Sequence, residues 1–215
     1  MIAAQSFQIV FTVLFIMKSF GQVLCNFTKK RGGGDFMLTL RLGAAKDVLP
    51  VADMLEEIIG FLSLCEINYP NWHHGLYPTP AVLAAAFARD DLYVAEQDGK
   101  IVGTITVNAV QAPQYDGKPW KVEAGGELVR VIHTLAISPA ARGLGLAKRL
   151  IGYAEDIAIN QGATVMRLDT FHKNAPARTL YEGLGYYLVG YVTFTDIRPE
   201  GEPYAIYEKL LTNIS

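Results

Sequence analysis

The order of strand-like and helix-like stretches along these 215 residues, β-α-α-β-β-β-α-β-α-β-β, predicts a domain of the α/β (α+β) class. Three observations carry that prediction. Val129 to Ile137 is nearly continuous in apolar and β-branched residues and is stopped by Ser138-Pro139, as a buried strand would be. The stretch that follows repeats its apolar residues at Leu146/Ala147, Leu150/Ile151, Ala154 and Ile157/Ala158, the period of a helix with one buried face. Leu92–Glu96 and Ile101–Val110 are joined by Asp98-Gly99, a pair that favours a tight turn between antiparallel strands.

The elements follow in order from Met37. Leu38, Leu40 and Leu42 alternate with Thr39 and Arg41, as in a strand with one buried face. Asp47 suits the cap of a helix running to about Leu64. Thr79-Pro80 opens a shorter helix, with threonine capping and proline in the first turn, that runs to about Arg89. The hairpin around Asp98-Gly99 comes next, then a polar excursion rich in glycine and proline over 112–127. The strand at Val129 and the helix at Leu146 lead to a strand at Val165–Phe171 and a helix at Ala175–Gly183. Tyr187–Phe194 and Pro203–Leu210 close the chain as a hairpin.

Residues 1–36 read differently, as an apolar and basic extension outside the core domain. Phe7 to Met17 is apolar except for Gln8 and Thr12, and Thr28 to Gly34 reads as a basic, flexible linker. An apolar run this short does not span a bilayer, which takes about 20 residues. It has the length of a secretory signal core, with Ser19-x-Gly21 as a cleavage site, but no lysine or arginine precedes it. The favoured reading is an extension that docks on the domain or on a partner, with no membrane span.

Composition narrows the function classes. A hydrophobic content of 51% is ample for a sizeable core. Removing residues 1–36 leaves 15 basic against 20 acidic side chains, which argues against a nucleic-acid surface. Cys25 and Cys65 make no disulfide framework, so a reducing cytoplasm is the expected compartment. His73-His74 is no metal signal, because adjacent side chains diverge and no further ligand is spaced to join them.

Between the central strand and its helix lies Arg142-Gly143-Leu144-Gly145-Leu146-Ala147. Glycine lets the backbone approach a ligand, and the amides opening a helix point outward without partners, so a phosphate would satisfy them. The loop lacks the Gly-Lys-Ser/Thr ending of a P-loop. It also lacks the third glycine and following acidic residue of a dinucleotide fingerprint. It is similar to the Arg-x-x-Gly-x-Ala loop of the GNAT N-acetyltransferase superfamily. Downstream, Asn174-Ala-Pro-Ala-Arg-Thr-Leu-Tyr181-Glu-Gly-Leu-Gly185-Tyr resembles that family's Asn-x-x-Ala-x-x-Leu-Tyr-x-x-x-Gly-aromatic segment. The resemblance covers roughly residues 37–211 and is strongest from 128 to 188.

The resemblance implies a GNAT fold over 37–215: a mixed central β-sheet with splayed central strands and helices on both faces. It implies acetyl-CoA as co-substrate and no metal. Pantetheine would bond along the backbone of Leu135, Ala136 and Ile137 like an added strand. The pyrophosphate would sit on the amides of Arg142, Gly143, Gly145, Leu146 and Ala147, with Leu144 in the same loop. Lys148 and Asn174 would flank it, although Asn174 equally suits a helix cap and Lys148 plain surface.

Acyl transfer to an amine leaves a thiolate, and a phenol of reference pKa about 10 can protonate it. The family places a tyrosine of this segment near the thioester sulfur, which points to Tyr181 as general acid. An amine of pKa about 10 also has to lose a proton, which costs roughly 4 kcal/mol at pH 7. Asp169 is the leading candidate base, followed by Glu127 and His133 around the preceding strand. The amide of Ile137 is the candidate for polarising the thioester carbonyl. No covalent enzyme intermediate is expected, since neither cysteine falls near the motifs. Substrate selection is assigned to the segment from Glu66 to Pro78, with Tyr69, Trp72 and Tyr77 as acceptor contacts, and to the 112–127 excursion. The same aromatic residues would equally pin a long loop to the core. The expected acceptor is a small-molecule or peptide amine, and dimers are common among the proteins this chain resembles. The rival reading keeps the fold and drops the reaction, giving an acyl-CoA-binding sensor.

Overall fold

Nearly continuous burial along the central strands builds one sheet with two covered faces. The computed structural model describes residues 13–18, 22–31, 34–65, 68–194 and 201–211, with side chains from Met37 onward. Among the described residues nine strands run in chain order as β1 (Val13–Lys18), β2 (Gln22–Arg31), β3 (Gly34–Leu42), β4 (Leu92–Gln97), β5 (Lys100–Asn108), β6 (Val129–Ile137), β7 (Val165–Phe171), β8 (Tyr187–Thr193) and β9 (Pro203–Leu210). Their spatial order is β1-β2-β3-β4-β5-β6-β7-β9-β8. Every neighbouring pair is antiparallel except β6–β7, which is parallel, so the sheet is mixed as expected.

Four α-helices among the described residues cover it: α1 (Val48–Ser63), α2 (Pro80–Ala88), α3 (Leu146–Asn160) and α4 (Ala175–Gly183). Side chains of successive strand residues point to opposite faces, and the two faces bury different partners. Tyr93, Ala95, Ile105 and Ile132 pack with Leu150, Ala154 and Tyr181 of α3 and α4. Leu92, Val94 and Ala136 pack with Val51, Ile58 and Leu83 of α1 and α2 on the other side. Further along that second face the 112–127 excursion lies over Val129, Val131 and Ile206 through Tyr115 and Trp120.

Local chemistry explains the ends of these elements. Thr79 Oγ1 accepts from Val82 N at 3.2 Å, so α2 is capped as its sequence suggests. Asp98 (φ 49°) and Gly99 (φ 80°) both take the left-handed conformation that a two-residue hairpin turn requires. Two readings need correction. Asp47 precedes α1 but makes no side-chain cap, because its buried carboxylate is held by Arg41 Nη1 (2.6 Å) and Nη2 (2.9 Å) and by Ala44 N (2.7 Å). The stretch read as a basic linker is in part a strand: Thr28 to Arg31 pair with Met37 back to Gly34, so β2 covers the edge β3 would otherwise present. The residues Phe7 to Thr12, the candidate cleavage site Ser19-x-Gly21 and Glu66 lie outside the described residues. No helix among the described residues is long and apolar enough to cross a membrane.

Candidate active site

Strands β6 and β7 pair only from Val129↔Val165 to Ile132↔Leu168 and then separate. Beyond that point β6 keeps its bonds to β5 and β7 keeps its bonds to β9, so the sheet opens from within. The register between β5 and β6 shifts where Thr106 alone stands opposite His133 and Thr134, a bulge that bends β6 away from β7. Past the bulge, Ser138 N donates to Val102 O of the β5 side at 3.0 Å. Successive strand amides point to opposite edges, so the amides of Leu135 and Ile137 face the opening, whereas Ala136 turns its amide to β5 and its side chain to the α1–α2 core. A cavity of about 430 Å3 fills the opening.

The glycine loop adjoins this cavity through Ala147. Gly143 (φ 76°) and Gly145 (φ 71°) take a conformation that disfavours other residues, and a Cβ built on either meets no protein atom within 4 Å. The ladder of α3 starts with Arg149 N donating to Gly145 O at 3.2 Å, leaving the amides of Leu146, Ala147 and Lys148 ahead of it. These open glycines, outward amides and the unpaired edges of β6 and β7 fit a diphosphate followed by an extended amide chain. Arg142 differs in one respect, since its amide turns back to Pro139 O at 3.4 Å and its guanidinium rests 4.6 Å from the Phe61 ring centre. Leu144 packs against the core, and Lys148 is exposed beside the loop.

Tyr181 and Asp169 both line the cavity, reached from α4 and from the end of β7. Tyr181 is 6% exposed, its ring packed against those of Tyr186 and Tyr207. Burial pushes this phenol well above its ordinary value, with the charges of Asp169 and Tyr207 adding in the same direction. Burial also pushes the Asp169 carboxyl up to about 6, opposed by a hydrogen bond that Tyr115 Oη donates to Asp169 Oδ2 at 2.8 Å. His133 lines the same space and is neutral at pH 7, because burial pulls it down to about 4. Its Nε2 lies 2.8 Å from Asn108 Oδ1, and Asn108 Nδ2 donates to Asp91 Oδ2 at 2.9 Å. With the Asn108 amide so oriented, Nε2 of His133 carries the ring proton.

The structure brings together Tyr181, Asp169, His133, Leu135, Ile137, Asn174, Trp72 and Tyr77. Asn174 caps α4, its Oδ1 accepting from Ala177 N at 3.3 Å while its Nδ2 donates to Thr170 Oγ1 at 3.1 Å. Glu127 is not part of the group: it precedes the paired end of β6, away from the opening, and its 88% exposed side chain meets Arg130 at 3.2 Å. Tyr69 also stays outside the cavity wall, 39% exposed on its loop. Sequence reasoning missed Tyr115, Phe194 and Tyr204. Tyr115 lay within a segment already assigned to substrate selection, but its partner stands 54 residues away and no local pattern links them.

Comparison with known proteins agrees with this geometry. A family model described as Acetyltransferase (GNAT) family matches residues 61–186. The uncharacterized N-acetyltransferase YhfO of Bacillus subtilis (strain 168) is 30% identical over 95 residues, 44% of this chain and 57% of YhfO. N-acetyltransferase 8B of Rattus norvegicus is 33% identical over 98 residues, 46% of this chain and 40% of that protein. The chain thus spans about half the length of these curated relatives. An acetyltransferase structure from Staphylococcus aureus Mu50 shares 30% identity at a TM-score of 0.60, over 80% of this chain and 99% of that one. The structure of yncA from Salmonella typhimurium, solved with its cofactor acetyl-CoA, aligns at a TM-score of 0.58 and 19% identity, over 83% of this chain and 96% of that one.

Proposed function

Since the chain belongs to the acetyltransferase (GNAT) family, we propose that it transfers the acetyl group of acetyl-CoA to a primary amine by direct attack in a ternary complex. The observation that carries this reading is the opening between β6 and β7, which joins the glycine loop to a cavity holding both a protonated phenol and a carboxylate. The diphosphate lies on the amides of Gly143, Gly145, Leu146 and Ala147, flanked by the side chains of Arg142 and Lys148. The pantetheine amides follow the free edge of Leu135 to Ile137, and the Ile137 amide faces the thioester oxygen.

The amine nitrogen forms its bond to the thioester carbon as the carbon–sulfur bond breaks. Of the three protons on the starting ammonium, one remains on the product amide, and one passes to Asp169 and then to solvent. The third replaces the proton that Tyr181 gives to the departing sulfur. A phenol held well above its ordinary value is fully protonated at neutral pH, the state a donor needs. A carboxyl near 6 is ionised at pH 7 and poised to accept.

Release of free thiol from acetyl-CoA in the presence of primary amines tests the reading. Tyr181→Phe is expected to lower kcat ten-fold or more with the KM for acetyl-CoA unchanged, the pattern of an interaction made only in the transition state. Unchanged turnover removes Tyr181 as the acid, and tight acetyl-CoA binding without turnover of any amine selects the sensor.

A further inference from the structure

Residues packed on both faces of the sheet line the cavity. Ala147, Ala177 and Leu180 line its α3–α4 side, next to the glycine loop. Trp72, Tyr77, Phe171, Phe194 and Tyr204 line its other side. Three of these, Phe171, Phe194 and Tyr204, belong to the cluster under the 112–127 excursion, and Trp72 packs on the α1–α2 core. Resting on the transfer reading above, which sets acetyl-CoA on the α3–α4 side, we propose that the acceptor lies against the aromatic side and is a small primary amine with a flat, apolar body. That body carries no carboxylate, phosphate or second ammonium.

The chemistry of the wall supports this class. Its rings brace one another, with centres 6.3 Å apart for Trp72–Tyr77, 5.7 Å for Phe171–Tyr204 and 5.2 Å for Phe194–Tyr204. Their polar ends are engaged with the protein. Tyr77 Oη lies 2.5 Å from Thr134 Oγ1, and Tyr204 Oη accepts from Asn71 Nδ2 at 3.2 Å. The Trp72 backbone is clamped by the Asn68 amide, which accepts from Trp72 N at 3.1 Å and donates to Trp72 O at 2.5 Å. What the wall offers an occupant is therefore ring faces and edges, the surfaces that aryl groups pack against.

Charge decides the rest. Among the described residues, Asp169 is the one carboxylate lining the cavity, and none of the described lysines or arginines lines it. An acceptor ammonium has Asp169 to meet, whereas a second ammonium or a carboxylate would be desolvated without a partner. The guanidinium nearest along β7, Arg167, is committed to Glu208 Oε2 (2.9 Å), Gln111 Oε1 (2.5 Å) and Val122 O (2.8 Å). On α4, Arg178 is held by Tyr207 Oη (3.0 Å) and His172 O (3.1 Å).

The test is calorimetric titration of the full chain, saturated with unacylated CoA, using 2-phenylethylamine, phenylalanine, putrescine and a short unblocked peptide. In parallel, thiol release is measured with the same four compounds and acetyl-CoA. The expected result is binding of 2-phenylethylamine at least ten-fold tighter than of the other three. Phe194→Ala and Trp72→Leu should each weaken it about ten-fold while CoA affinity stays within two-fold. Phe194 is half-buried beside the cavity, so its variant reports even where loss of Trp72 from the core disturbs folding. Equal or tighter binding of putrescine, phenylalanine or the peptide overturns the proposal, as does an unaltered affinity in Phe194→Ala. Selective binding without acetylation overturns the transfer reading and leaves the flat, apolar amine as the cavity's ligand. Acetylation that prefers putrescine does the reverse.

Discussion

At Asp169 two opposing effects act on one side chain. Burial raises its carboxyl, and the Tyr115 hydrogen bond lowers it. Facing it are Tyr115 from the excursion and Tyr181 from α4, with His133 of β6 in the same cavity and Arg167 two residues back on β7. Turnover is expected to rise with pH through an apparent value near 6, as Asp169 loses its proton. His133, pulled down to about 4, titrates too low to supply that limb. Asp169→Asn should remove the limb and lower kcat ten-fold or more. Tyr115→Phe should move the limb above 6, because only the lowering contribution is lost; an unmoved limb would make Tyr115 purely a packing residue. Stability has its own sign. A carboxyl raised in the folded state favours folding when protonated, and that contribution is lost as pH rises through about 6. Asp169→Asn should therefore melt higher than the wild type at pH 7.5, with the difference vanishing at pH 3.5.

The 112–127 excursion holds its place through β7 and β9. Arg167 (3% exposed) and Glu208 (0% exposed) form an ion pair at 2.9 Å under it. Arg167 also bonds Gln111 and Val122 and lies 4.0 Å from the Trp120 ring centre, while Glu208 accepts from Lys121 N (2.9 Å) and Tyr187 Oη. Removing one member of such a pair strands the other, at a cost on the order of 3–5 kcal/mol. Arg167→Met is expected to lower the denaturation free energy by about that amount and to speed amide exchange across residues 111–122 relative to α3. A loss below about 1 kcal/mol, as for an exposed pair, would show that aromatic packing alone holds the excursion. None of this was legible in the sequence, because Arg167 and Glu208 stand 41 residues apart in strands whose apolar pattern says nothing of their charges. The strand Val129–Ile137, the glycine loop and α3 were legible because each rests on residues adjacent in the chain. The cap expected of Asp47 failed for the opposite reason: Arg41, on the neighbouring strand, claims the carboxylate first.

At the scale of the molecule, one parallel pairing inside an otherwise antiparallel sheet makes the cleft, and that followed from family resemblance, not from any residue pattern. A sheet opened in its middle leaves strand edges and helix-opening amides without partners, so a ligand that supplies them stabilises the fold by mass action. Acetyl-CoA at 100 times its dissociation constant contributes about 2.7 kcal/mol, which for a domain of this size raises Tm by about 5–10 °C. Gly145→Glu sets a carboxylate where we propose the diphosphate to bind and a side chain on a backbone at φ 71°, so it should melt somewhat lower alone and gain nothing from acetyl-CoA. A melting series in acetyl-CoA on both proteins measures this directly. An equal rise in the variant would move the diphosphate away from the loop, and no rise in the wild type would leave the opened sheet without the ligand its free edges fit.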